Sequence, residues 1–118
     1  GDGKQVRDVL FISDLVKLFF KLSKSKKNIN TTYNVGGGIK NSLSIIELIN
    51  ILEKKLNKKN KYKKFKWRSG DQKIYISNIS KIQKDVNWSP KIRISEGLNK
   101  VIRWIRENEA NIKKILKI

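Results

Sequence analysis

The segment Ser44-Ile45-Ile46-Glu47 sets a hydroxyl three residues ahead of a carboxylate, the spacing of a capping box. Behind it Ile45, Leu48, Ile49, Leu52 and Leu56 fall along one side of a 3.6-residue spiral. Together they specify an amphipathic helix starting at Ser44, with an apolar side that must be covered. The preceding residues indicate by what. Thr31–Val35 is β-branched and aromatic and reads as a strand, and Gly36-Gly37-Gly38 breaks it before the helix begins. Strand, break and helix in that order argue for an α/β arrangement.

The alternation continues on both sides. Asp14 to Leu22 reads as a helix, with Leu15, Leu18, Phe19 and Leu22 at i, i+3, i+4 and i+7, Ser13 or Asp14 as N-cap, and the polar run Ser23–Asn30 ending it. Lys64–Trp67 reads as a short strand followed by the turn Arg68-Ser69-Gly70-Asp71. Ile74–Ser77 is a further strand, and Ser80–Val86 a short helix stopped before Asn87-Trp88-Ser89-Pro90. A last helix begins near Ser95 and carries Leu98, Val101, Ile102 and Ile105. Few short strands and about four helices in 118 residues give one modest core, not two domains, and a sheet that is incomplete by itself. The single low-complexity stretch is Lys54–Lys66, whose role the sequence leaves open, a solvated loop being one reading.

Charge bears on partners. The chain has 28 Lys+Arg against 10 Asp+Glu, a net +18, yet only five of the basic residues are arginines: Arg7, Arg68, Arg93, Arg103 and Arg106. Lys, Ile and Asn share A/T-rich codons and make up nearly half the chain, so coding bias accounts for the charge without a polyanion partner. A nucleic-acid surface favours arginine forks interleaved with stacking aromatics. A basic nucleic-acid-binding module is retained as the alternative. The absence of Cys and His excludes thiolate or imidazole zinc sites, cysteine nucleophiles, disulfides and histidine triads. No apolar run approaches the ~18 residues of a membrane span, and the N-terminus lacks a signal-peptide stretch, so a cytoplasmic location with no membrane contact is expected.

Two apparent chemistries fail on spacing. Gly36-Gly37-Gly38 lies where a dinucleotide-binding loop would sit, but the GxGxxG fingerprint needs a third glycine where Asn41 stands. The capping box also delays the helix to Ser44, too late for its amides to meet a pyrophosphate. The glycines therefore read as a structural turn. Tyr62 and Lys66 match a Tyr-x-x-x-Lys spacing whose chemistry requires one helical face. Their segment reads as extended, which separates residues four apart by about 13 Å.

Three segments carry a resemblance. The first is Gly1-Asp2-Gly3-Lys4-Gln5-Val6-Arg7-Asp8 with Phe11-Ile12-Ser13-Asp14. The second is Tyr33-Asn34-Val35-Gly36-Gly37-Gly38 with Asn41-Ser42 and Ser44 through Leu48. The third is Arg68-Ser69-Gly70-Asp71, Asn78 to Lys81, Asn87-Trp88-Ser89-Pro90 and the helix from Glu96 to Trp104. In this order, over roughly residues 1–106, the set resembles the C-terminal, substrate-binding part of the extended short-chain dehydrogenase/reductases that act on nucleotide sugars. The triple glycine with Asn41-Ser42 is most similar to the CDP-paratose 2-epimerase (CDP-tyvelose epimerase) branch.

The resemblance implies roles for particular residues. Arg7 and Arg68 would approach the nucleotide diphosphate and Asp71 the ribose, chemistry that suits guanidinium forks and a carboxylate. Gln5 would shape the segment, and Val9 stands where several relatives place an aromatic beside the nucleotide. The bland readings are a surface ion pair of Arg7 with Asp8, and a turn closed by Arg68 and Asp71. Trp88, Pro90 and Trp104 read as core and turn residues. In the family NAD sits on an N-terminal Rossmann half, with a Tyr/Lys set for acid–base work, and epimerisation proceeds by transient oxidation of a sugar carbinol, here at C2. Neither half nor set is in this sequence, which opens with Gly1 inside a family motif. Residues 1–118 are thus expected to be a partial nucleotide-sugar-binding domain, with a CDP-sugar and the missing Rossmann half as partners, no NAD of its own, and a tendency to self-associate. A degenerate, non-catalytic remnant is the second alternative.

Overall fold

The computed structural model describes residues 1–25 and 30–117. It is an α/β structure in which α1 (Ile12–Ser23), α2 (Ile45–Leu56), α3 (Ser80–Val86), α4 (Ile94–Glu107) and α5 (Glu109–Leu116) surround three short strands, β1 (Val6–Asp8), β2 (Ser42–Ser44) and β3 (Ile74–Tyr75). The strand order is β2-β1-β3. β1 pairs antiparallel with β2, Arg7 opposite Leu43, and parallel with β3, Arg7 opposite Tyr75.

The helix predicted from Ser44 starts there. Ser44 Oγ accepts the Glu47 amide at 3.2 Å while the Glu47 carboxylate accepts the Ser44 amide at 2.6 Å. The Ser44 amide and, second, the Ser44 hydroxyl at 2.7 Å both donate to the Glu47 carboxylate and hold it below its ordinary pKa. Ser44→Ala is expected to cost about 1 kcal/mol in a denaturant melt. The advantage of the natural chain over Glu47→Gln is expected to be fully present above the ordinary carboxylate pKa and to fade as pH falls through the lowered one. A gap that widened in acid would contradict this.

α3 also occupies the predicted span, ended by Asn87 in the left-handed conformation at φ 50°. α1 begins two residues early, at Ile12, with Phe11 as N-cap and no side-chain cap. Asp14 is not a cap. It is buried, and its Oδ2 accepts the Lys91 and Ile92 amides, each at 2.8 Å, while its carbonyl accepts the Trp88 indole N–H at 3.2 Å. One carboxylate thereby fastens α1 to the segment leading into α4. The proposed end of α1 over Ser23–Asn30 falls partly on residues 26–29, outside the described residues.

Neither Thr31–Val35 nor Lys64–Trp67 forms a strand. Thr31–Val35 has strand composition but joins no β-ladder among the described residues, and Tyr33 and Val35 pack on the core instead. Lys64–Trp67 is held to the N-terminus by one backbone bond, Phe65 N–H to the Gly1 carbonyl at 3.0 Å. The strand expected over Ile74–Ser77 is confined to Ile74–Tyr75. Lys54–Lys66 is not one solvated loop. Its first residues complete α2, and beyond Leu56 the chain folds back so that Glu53 accepts the Lys59 ammonium at 3.0 Å and the Asn60 amide at 2.8 Å.

The core is Leu18, Ile79, Ile82, Val86 and Trp88, with Leu10, Leu15, Leu22, Tyr33 and Val35 against it. α1 supplies Leu15, Leu18 and Leu22 from one side. Its other side, Ile12, Val16, Phe19 and Phe20, is exposed, Phe20 at 66%. Phe19 therefore lies outside the core that its periodicity predicted, and Trp104, on α4, is likewise 57% exposed. Lys17 and Lys21 are exposed beside them, so this side of α1 mixes large apolar residues with lysines. Among the described residues no helix is long and apolar enough to cross a membrane.

Candidate functional site

Sheet pairing brings the first and third sequence segments together. Arg7 sits on the central strand and faces Tyr75 of β3, three residues beyond Gln72. Its guanidinium donates to the Val6 carbonyl at 2.7 Å and to the Gln72 carbonyl at 2.9 Å. Arg7 thus ends beside the turn that holds Arg68 and Asp71. In that turn the Asp71 amide donates to the Arg68 carbonyl at 3.2 Å, and Gly70 supplies the positive φ of 82°. Arg68 Nε donates to Asp71 Oδ2 at 3.2 Å, with the arginine side chain 83% and the aspartate 24% exposed.

The two bland readings separate here. Arg68 and Asp71 do close a turn. Arg7 makes no ion pair with Asp8, because the Asp8 carboxylate points the other way, accepting the Gly38 amide at 2.9 Å and the Ser77 hydroxyl at 3.4 Å. Among the described residues Arg68 makes no hydrogen bond through its terminal nitrogens, leaving a solvent-facing fork of the kind that binds phosphate oxygens. The group is two guanidiniums and one carboxylate around a turn, without a metal cluster: no three His, Cys, Asp or Glu side chains among the described residues are grouped to hold an ion.

The glycine triplet has a structural use. A Cβ on Gly36 would overlap the Asp8 carboxylate and Ser77, and one on Gly37 would overlap the Val9 carbonyl. Gly38 takes φ 67° and spends its amide on Asp8. These backbones are packed against the end of β1, which gives the three glycines a structural use. Tyr62 and Lys66 lie in a stretch with neither helix nor strand, away from the one-face geometry their chemistry requires.

Two buried polar residues escaped sequence reasoning. Asp14 and Asn41 stand in the motif segments, Asp14 also as one of two candidate N-caps, but nothing in the sequence marks either as buried. Asn41 is 1% exposed, its side-chain amide donates to the Ile92 carbonyl at 3.1 Å, and its own carbonyl accepts the Val9 amide at 2.9 Å. It ties the glycine turn to β1 and to the entrance of α4. Trp88 is buried, as expected, and Pro90 partly so.

With this geometry defined, comparison with known proteins is specific. Residues 1–101 match the GDP-mannose 4,6 dehydratase family. The chain is 38% identical over 105 residues to CDP-paratose 2-epimerase of Salmonella typhi, covering 88% of this chain and 31% of that enzyme. It is 38% identical over 115 residues to UDP-glucuronate 4-epimerase of Thermodesulfobacterium geofontis, covering 98% and 35%. Among solved structures, UDP-glucuronic acid 4-epimerase of Bacillus cereus, in complex with UDP-glucuronic acid and NAD, superimposes with a TM-score of 0.80 at 32% identity, over 91% of this chain and 34% of that one. An epimerase of Methanothermobacter thermautotrophicus gives 0.84 at 27% identity, over 97% and 34%. The chain spans about a third of the length of the curated relatives it matches. It therefore belongs to the GDP-mannose 4,6 dehydratase family, within the extended short-chain dehydrogenase/reductases, and corresponds to their C-terminal portion.

Proposed function

We propose that residues 1–118 are the nucleotide-sugar-binding part of an NAD-dependent nucleotide-sugar epimerase, with a CDP-sugar as ligand and C2 as the inverted carbon. The observation that carries the reading is the link from the Arg7 guanidinium to the Gln72 carbonyl, which joins the Gln5-Val6-Arg7-Asp8 segment to the Arg68–Asp71 turn. In this reading Arg7 and Arg68 neutralise the diphosphate and Asp71 accepts ribose hydroxyls. NAD and the hydride chemistry belong to a Rossmann half outside these residues. The exposed apolar side of α1 supports such a missing half, since it is a surface suited to being covered. Without it the same surface favours self-association.

Two measurements test the proposal. A CDP-sugar is expected to raise the melting temperature of the chain saturably, and Arg68→Ala is expected to abolish that rise. With NAD present, the 118-residue chain is expected to show no epimerisation. Turnover by the chain alone would overturn the division of labour. Binding that fell steeply with salt and ignored the CDP-sugar would favour the nucleic-acid alternative instead.

A further inference from the structure

A second polar cleft, of about 680 Å³, is lined by none of Arg7, Arg68 and Asp71. Ile76 and Ser77, which line it, follow β3 directly, and Gly38, also on its wall, donates to Asp8, the last residue of β1. The cleft therefore opens beyond the carboxyl ends of the parallel β1–β3 pair, whereas the Arg68–Asp71 turn precedes β3. Its size falls within the roughly 300–1,000 Å³ of small-molecule sites, and the ends of parallel strands are where α/β sheets receive ligands.

Its lining is charged with one sign. Lys40, Lys91 and Arg93 contribute three cations, and no carboxylate lines the cleft. Among the described residues none of the three makes an ion pair. The two carboxylates behind the wall are already committed to backbone amides, Asp8 to Gly38 and Asp14 to Lys91 and Ile92. Three like charges around one concavity repel each other, and an anion placed among them removes that cost. Asn78 and Ser80 add amide and hydroxyl donors, Ser77 being bonded to Asp8, and the Gln83 side chain braces the wall by donating to Ser89 Oγ at 3.2 Å. No aromatic lines the cleft, so there is nothing on which a base would stack.

We propose that this cleft binds a phosphate-bearing small molecule without a stacked base, such as a sugar phosphate or pyrophosphate, independently of the Arg7–Arg68–Asp71 site. A guanidinium fork, two ammonium groups and neutral donors match the several acceptor oxygens of a phosphate dianion.

The test uses the whole 118-residue chain, isotopically labelled, titrated with inorganic pyrophosphate at physiological ionic strength and followed by backbone amide shifts. Saturable shifts are expected in Gly37–Lys40 and Ser77–Ser80. The double variant Lys40→Gln/Arg93→Gln is expected to weaken binding at least about tenfold, equivalent to about 1.4 kcal/mol. Lys113→Gln/Lys114→Gln removes the same charge from α5 and is expected to leave affinity unchanged, whereas Arg68→Ala is expected to remove only shifts around the Arg68–Asp71 turn. Melting curves confirm that each variant is folded. Glucose 1-phosphate competing better than pyrophosphate identifies a sugar phosphate as the ligand, and the reverse identifies the diphosphate. The proposal is overturned by an absence of saturable shifts, or by equal loss in the two double variants, which means diffuse charge. Equal loss in Arg68→Ala, which puts the anion in the nucleotide site, or stronger binding of a single-stranded oligonucleotide also overturns it. Because Arg68→Ala removes CDP-sugar binding without touching this cleft, failure of one site is distinguishable from failure of the other.

Discussion

Gly37→Ala is expected to destabilise the chain by about 3 kcal/mol or more, a large part of the margin by which a domain of this size stays folded. The added methyl would occupy the position of the Val9 carbonyl and lie 2.8 Å from Asn41 Cβ. Neither neighbour can swing aside. The Val9 residue is held through its amide to the Asn41 carbonyl at 2.9 Å, and Asn41 is itself buried and bonded to Ile92. Relief requires separating the glycine turn from the end of β1, which breaks that bond and shifts β2 next to it. Gly70→Ala is the comparison. Nothing lies within 4 Å of a Cβ there, so the cost is only that of its left-handed backbone, about 1 kcal/mol. Chemical denaturation of both variants checks the order. Equal midpoints would mean that the Gly37 contact yields easily.

Asp14→Ala is expected to be comparably severe, at about 3 kcal/mol. The substitution strips the acceptor from two backbone amides, Lys91 and Ile92, at a position shielded from water. Buried donors left without partners carry the full desolvation penalty, and bonds to an ionised acceptor are the stronger kind. Asp14→Asn retains one carbonyl oxygen of similar size and is expected to recover part of the loss. The readouts are the unfolding midpoint and amide exchange at 91 and 92. If Asp14→Ala left exchange at those amides unchanged, the carboxylate would not be what holds them.

How far the fold was legible follows from the range over which each feature is determined. The Ser44–Glu47 box is complete within four residues, and α2 begins where it says. α3 is equally local. Strands β1 and β2 are three residues each and exist because distant segments pair, so no local pattern announces them. Thr31–Val35 is the converse, with strand-forming residues that join no β-ladder among the described ones and are held instead by Lys81, Asp85 and the core. Helical periodicity found the apolar side of α1 but not its extent, because Phe19 and Phe20 are apolar on the side that nothing covers. At the candidate site Arg7, Arg68 and Asp71 were visible as motif residues. The carbonyl of Gln72 that joins them has no signal in sequence, since any residue supplies one. Asp14 and Asn41 carry no sequence mark of burial, because burial of a polar group depends on which amides and carbonyls reach it.

The placement of β1 has a kinetic consequence. The central strand comes from the first residues of the sequence, while its neighbours come from residues 42–44 and 74–75. Helices α1 and α2 can begin to form from local contacts alone, but Val6–Asp8 has no partner until two long loops close around it. Closing such loops costs chain entropy before any ladder bond is gained. Helical content should therefore appear well before the sheet when the unfolded chain is diluted from denaturant. The pairing of Val6 with Ile74, which closes the longer of the two loops, is expected to form last.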